Sequence, residues 1–282
     1  MRSVLMLLAA VLLFGQFPPA GLAAQQSEIL YVDAPDDSGR ELRVRLVLPD
    51  GDGPFPLAVI NHGSPRLASE RPGITDPKYT QLVSWFIDRG YAVALPLRRG
   101  YGPGGGRWNE TFGPCDDPDY VSAGLETARD IEAAIEELRE RDDIMRKATV
   151  VVGHSAGGWG SLALASLNLK GVRAYINFSG GRGGHHDDRP ELNCNADALV
   201  DAAERYGETS RRPTLWLYAE NDRYFPPSLA ERMHTAFTDA GGKARFKMLP
   251  AIEGDGHLLA TEGQESWGPI LGKFLKTDDA DN

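Results

Sequence analysis

Val150-Val151-Val152-Gly153-His154-Ser155-Ala156-Gly157-Gly158 decides how the rest of the chain is read. A β-branched run ends in Gly-x-Ser-x-Gly and leads into the apolar stretch Ala156 to Leu167. This is the pattern of a buried strand that turns sharply into a helix and lifts a serine hydroxyl out at the tip of a sheet. The glycines have a steric reason. A serine in a strained, positive-φ turn leaves no room for Cβ atoms two residues to either side, where strand and helix nearly touch. A Gly-rich turn after any strand can produce the same five letters, so the flanking sequence must carry the decision.

Outward from this stretch, strands and helices alternate. Glu28 to Val32 and Glu41 to Leu48 read as two strands around the turn-rich Asp36-Asp37-Ser38-Gly39; Leu42, Val44, Leu46 and Leu48 alternate with Arg43 and Arg45, predicting a hairpin at a sheet edge. Pro56 to Asn61 is a short apolar run without alternation, as in a strand covered on both faces. A helix is expected over Lys78 to Arg89, stopped by Gly90, and a strand over Tyr91 to Leu95. Val121, Leu125, Ala128, Ile131, Ile135 and Leu138 form one apolar stripe on a long helix. Beyond the elbow, strands are predicted at Val172 to Phe178, Pro213 to Ala219 and Arg245 to Leu249, and helices at Ser228 to Ala240 and Trp267 to Leu275. The segment from about 180 to 212 breaks the pattern and reads as a small loop and helix insertion at the sheet's edge. The expected class is α/β, with a mostly parallel sheet of about eight strands and helices on both faces.

The N-terminus stands apart. Met1-Arg2, the apolar Val4 to Phe14 and the small residues Ala20-Gly21-Leu22-Ala23-Ala24 have the layout of a secretory signal peptide, shorter than a bilayer span. Residues 1–24 are therefore read as that signal and 25–282 as one domain, exported to the periplasm or the medium. A net charge of −10 argues against nucleic acid as a partner. The two cysteines, Cys115 and Cys194, would meet an oxidising compartment after export; one disulfide or two free thiols both fit. If bridged, they pin a partial lid, since both fall in loops that follow strand ends.

A serine hydroxyl is a poor nucleophile near neutral pH and needs a base and a group to orient that base. Reactive groups in open α/β sheets gather at the carboxyl ends of strands. Asp222 follows one predicted strand and His257 another, giving the order Ser155, Asp222, His257. That order is the α/β-hydrolase one, distinct from the chymotrypsin and subtilisin orders. Glu220 is the rival acid, and His234, inside a predicted helix, reads as packing. Backbone amides of Ala156 and of Ser64, in the loop His62-Gly63-Ser64-Pro65, are the expected donors to an oxyanion. His62, Tyr101, Trp108, His154 and Tyr224 are candidate pocket walls, although aromatic rings are as often simple packing. The glycine-rich loop Arg98 to Trp108 lacks the Lys-Ser or Lys-Thr of a phosphate cradle. His185-His186-Asp187-Asp188 is read as a loop bordering the site, not as a metal centre.

Taken together, Asn61-His62-Gly63-Ser64, Arg99-Gly100-Tyr101-Gly102, the elbow, Asn221-Asp222 before Pro226, and Gly256-His257 resemble the dienelactone hydrolase-like and prolyl oligopeptidase-like branch of the α/β-hydrolases. The resemblance covers residues 27 to 276. Dienelactone hydrolases proper carry cysteine where this chain has Ser155, and the peptidases' propeller domain is absent from the sequence. What the resemblance implies is a serine hydrolase acting on a small-molecule carboxylic ester, without metal or organic cofactor. A peptidase, an amidase or a lactone hydrolase with the same triad is the alternative, and a non-catalytic binding protein on the same fold the remote one. Acyl and alcohol specificity and oligomeric state are left open by the sequence.

Overall fold

Leu42, Val44 and Leu46 are buried on one face of a strand whose other face carries Arg43 and Arg45, and that alternation fixes the register of the first hairpin. The structure, a computed structural model, describes residues 26–36 and 38–278; the expected signal peptide lies outside them. β1 (Gln26–Asp33) pairs antiparallel with β2 (Glu41–Leu48), which pairs antiparallel with β4 (Ala92–Leu97). β3 (Leu57–Asn61), β5 (Thr149–His154), β6 (Val172–Phe178), β7 (Thr214–Ala219) and β8 (Ala244–Leu249) join β4 in a parallel array. The sheet has eight strands in the order β1-β2-β4-β3-β5-β6-β7-β8, with the hairpin at one edge as its alternation predicts.

The central strands lack alternation because both faces are covered. Val151 packs into a core with α2 (Tyr120–Leu138), α3 (Ala156–Leu167), α4 (Ala196–Thr209) and α5 (Pro227–Asp239). Its neighbours Val150 and Val152 point the other way, into a core with α1 (Thr80–Ile87), the short α6 (Leu259–Glu262) and α7 (Gln264–Asp278). Each fully buried valine or leucine stabilises the fold by roughly 1.5–3 kcal/mol. The strand array therefore acts as a rigid platform whose carboxyl ends carry the loops of the site.

One expectation needs correction. The segment from 180 to 212 is no edge insertion: α4 is the crossover between β6 and β7, packed against α3 and α5 and burying Leu199, Ala202, Ala203 and Tyr206. Its buried face is built largely from alanine and from Gly207, against which the Phe237 backbone packs. Small residues give a weak apolar signal, so the stripe was hidden. Only the loop before α4, residues 179 to 195, is irregular.

Candidate active site

β5 ends at His154, and Ser155 follows at φ 54° and ψ −122°, directly before the first turn of α3. Few non-glycine residues adopt such a backbone, and it is sustained here by its surroundings. The Ser155 amide donates to Phe178 O at 3.0 Å, and its carbonyl accepts from Trp159 at 2.9 Å and from Gly181 at 3.3 Å. A Cβ on Gly153 would lie 2.2 Å from Gly157 O, and one on Gly157 would lie 2.3 Å from Asn61 O. The first contact is the strand-to-helix approach expected of the motif; the second shows that the outgoing helix also presses on the end of β3.

Asp222 lies in the turn after β7 and is 1% exposed. Its Oδ1 accepts the amides of Tyr224 and Phe225 at 2.8 and 3.0 Å and the His257 Nδ1–H at 3.2 Å; Oδ2 lies 3.3 Å from the same nitrogen. Burial alone would raise its pKa, but the His257 imidazole and the Phe225 amide hold it below the ordinary carboxylate value. Glu220, two residues earlier, is exposed and takes no part. His257 sits in a turn stitched to the acid's loop: Gly256 N–H donates to Asn221 O at 3.1 Å, and Asp255 Oδ1 accepts the amides of His257 and Arg223 at 2.9 and 3.1 Å. Tyr224 stacks on the imidazole with centroids 4.1 Å apart. Among the described residues Ser155 Oγ has no hydrogen bond to that ring; such contacts commonly tighten only when substrate is bound. His234 packs between Trp216 and Phe246, away from the site.

Ser155, Ala156, Ser64, Trp108, Tyr224 and Phe225 line one cavity of about 750 Å³. The amides of Ser64 and Ala156 have no partner among the described residues, which leaves both free to meet an oxyanion. Trp108 and Tyr224 line this cavity. His62, Tyr101 and His154 do not line it: His62 and Tyr101 are buried behind it, and His154 is partly buried there. His62 donates from Nδ1 to Gly63 O at 2.7 Å, receives the Arg98 amide on Nε2 at 3.5 Å, and is depressed to about 3 by burial and by the Arg98 charge. Tyr101 spends its hydroxyl on Ser64 Oγ and on Glu110, the latter at 3.0 Å. His154 bonds Tyr79 Oη at 2.9 Å and His257 O at 2.7 Å. These ring atoms are consumed by internal hydrogen bonds, which is why they face inward.

The dienelactone hydrolase family model matches residues 67–266 of the chain. The chain belongs to the dienelactone hydrolase family. No curated protein matches it. Among solved structures, a candidate dienelactone hydrolase of Klebsiella pneumoniae is similar at 17% identity and TM-score 0.60, over 90% of this chain and 99% of that one. A Pyrococcus furiosus esterase aligns at 13% identity and TM-score 0.60, over 90% and 93%. A Pyrococcus horikoshii acylaminoacyl peptidase aligns at 15% and 0.63, over 92% of this chain but 42% of its own length. The likenesses to solved structures establish the α/β-hydrolase fold, and the family establishes a hydrolase.

This dienelactone hydrolase family member also has features that motif reading missed. Glu110, 1% exposed, is buried between Arg98 and Arg182, with Arg182 Nη2 at 2.7 Å. Burial would raise its pKa, yet the two guanidinium groups hold it far below the carboxylate range. Arg182 also reaches Ser64 Oγ at 3.3 Å, so the Glu110 cluster braces the Ser64 loop. Arg71 stacks on Trp108 with its guanidinium carbon 3.4 Å from the ring centroid. At the rim Arg66 pairs with Asp188, and the Cys115–Cys194 disulfide, 79 residues apart in sequence, joins the loop before α2 to the loop before α4. His186 lies 3.6 Å from Cys115 Sγ, but both sulfurs are bonded to each other. Glu110, Arg71 and Arg182 belong to no short motif; they gather only through long-range contacts, so spacing alone could not have singled them out, whereas Trp108, the two cysteines and the loop of His186 and Asp188 were expected at the site from sequence.

Proposed function

We infer that the protein hydrolyses carboxylic esters through an acyl-enzyme on Ser155. The observation that supports this is the convergence on one cavity wall of the strained Ser155, two unpartnered amides, and the Tyr224 and Phe225 rings that pack against His257. Ser155 Oγ attacks the ester carbonyl as His257 Nε2 takes its proton. The Ser64 and Ala156 amides receive the oxyanion, a contribution worth about 3 kcal/mol per donor. Asp222 holds the ring through Nδ1–H and stabilises the imidazolium. Collapse of the tetrahedral species returns the proton to the leaving alcohol, and water activated by His257 then releases the acid. These steps call on no cofactor.

A second reading, an ester or lactone that carries an acidic group, is favoured by the cavity's cations. Arg71 and Arg182 line it, and the Nε atom of each is buried without a partner among the described residues. Fluorophosphonate labelling of wild type and Ser155→Ala, followed by a panel of neutral esters, acidic esters, lactones and aminoacyl p-nitroanilides, tests both. Ser155-dependent labelling with ester turnover is expected. Labelling that survives Ser155→Ala would overturn the nucleophile, and brisk anilide cleavage with negligible ester cleavage would make it a peptidase. Export through residues 1–24 completes the proposal, and the mass of the secreted chain checks it; retention of Met1 would refute cleavage.

A further inference from the structure

Four groups from four separate segments form one hydrogen-bonded chain beneath the site. Gly63 N–H, after β3, donates to Tyr79 Oη at 3.1 Å; Tyr79, before α1, lies 2.9 Å from His154 Nδ1; His154 Nε2, at the end of β5, lies 2.7 Å from the carbonyl of His257. One proton arrangement satisfies all of them. A carbonyl only accepts, so His154 carries its hydrogen on Nε2, its bare Nδ1 accepts from Tyr79 O–H, and the tyrosine lone pair accepts from Gly63. Burial, with the neighbouring His257, depresses His154 to about 3, and burial pushes Tyr79 up to about 12. Both are therefore neutral over the ordinary working range, and the chain holds groups in place without moving protons.

The ends of this chain are what matter. Gly63 immediately precedes Ser64, whose amide faces the cavity, and the His257 peptide carries the imidazole. The middle residue, His154, immediately precedes the nucleophile. The geometry points to Tyr79 and His154 as positioning residues that tie the oxyanion loop and the His257 turn to the elbow, keeping the Ser64 amide, Ser155 Oγ and the imidazole in register. This rests on the serine chemistry inferred above. Neither side chain lines the cavity, so neither touches substrate.

The test is phosphonylation of the full-length protein by a fluorophosphonate, followed by intact mass, with the limiting rate and the half-saturating concentration determined separately. Tyr79→Phe keeps the ring and removes the hydroxyl. His154→Gln places an amide near the former Nε2, keeping the bond to His257 O and losing the arm to Tyr79; His154→Ala loses both. A misplacement of reacting groups by about 1 Å can cost up to about a hundredfold in rate. Expected is a limiting rate about tenfold lower in Tyr79→Phe and in His154→Gln, with half-saturation within about twofold of wild type, since positioning acts on the reaction step more than on binding. The double variant should lose no more than Tyr79→Phe alone, which already breaks the Tyr79–His154 bond that His154→Gln removes and also leaves the Gly63 amide without its acceptor. His154→Ala should fall by about a further tenfold, which His154→Gln rescues. Limiting rates within twofold of wild type in Tyr79→Phe and His154→Ala, with only the melting temperature lowered, would reduce the chain to packing and overturn the proposal. If Tyr79→Phe does not fold, the contrast between His154→Gln and His154→Ala decides alone. Failure of the underlying serine reading looks different: wild type unlabelled, or labelled equally in Ser155→Ala.

Discussion

Asp222 and Glu220 stand two residues apart at the end of the same strand, and their surroundings could hardly differ more. Asp222 is buried and takes three donors on one oxygen, whereas Glu220 faces solvent. Asp222→Asn should lower kcat for ester hydrolysis by about 10⁴, because the amide cannot stabilise the imidazolium and favours the wrong tautomer. Glu220→Gln should stay within about twofold of wild type, and steady-state kinetics on one ester measures both. At this scale the sequence named Ser155, Asp222, His257 and the unpartnered amides of Ser64 and Ala156, because each sits at a fixed offset from a strand end. Which aromatic rings face the cavity was not legible: His62, Tyr101 and His154 turn inward only because Gly63, Glu110, Tyr79 and the His257 carbonyl are there to meet them.

At the level of elements, the elbow is a contact between β5, α3 and the end of β3, and glycine is what allows the approach. Gly157→Ala would drive a Cβ to 2.3 Å from Asn61 O, against backbone that cannot yield locally. Loss of soluble protein, or destabilisation of several kcal/mol in denaturant unfolding, is the expected result, on the order of the strain that overpacking brings. The loops that form the cavity rim depend on a different device. The Cys115–Cys194 bond closes a span of 79 residues, and the entropy of that loop in the unfolded chain gives the bond a stabilising effect of about 4.5 kcal/mol. The double change to serine should therefore lower the melting temperature and raise proteolytic nicking in 98–119 and 179–195, while Ser155 labelling persists. Strand and helix positions were readable because apolar periodicity is local. The role of α4 as a crossover was not, since its alanine-rich face shows itself only against α3 and α5.

The whole molecule carries its acid sensitivity in buried groups around the site. His62 and His154 are held at about 3 in the fold against an ordinary 6.5, so below pH 6.5 the unfolded chain takes up protons that the folded one refuses. Stability should thus fall as pH drops from about 6.5 towards 3. Glu110, depressed well below the usual 4.5, adds stability that is present above that value and is lost as pH falls through its folded pKa. Melting temperatures from pH 8 to pH 3.5 should show the decline, and His62→Gln should flatten its upper part; a curve level across that range would contradict the assignment. Glu110→Gln should cost about 3–5 kcal/mol near neutrality, because two buried guanidinium groups lose their shared partner. By itself the sequence determined an α/β sheet, a serine at the turn after its central strand, and an acid and a histidine after later strands, since those follow from periodicity and from offsets along one chain. Tertiary structure alone decided which rings form the cavity wall, that Glu110 braces Arg98 and Arg182, and that Tyr79 and His154 join three loops. These depend on where distant segments meet, and hydrogen-bond satisfaction in a buried space is a property of that meeting rather than of any one segment.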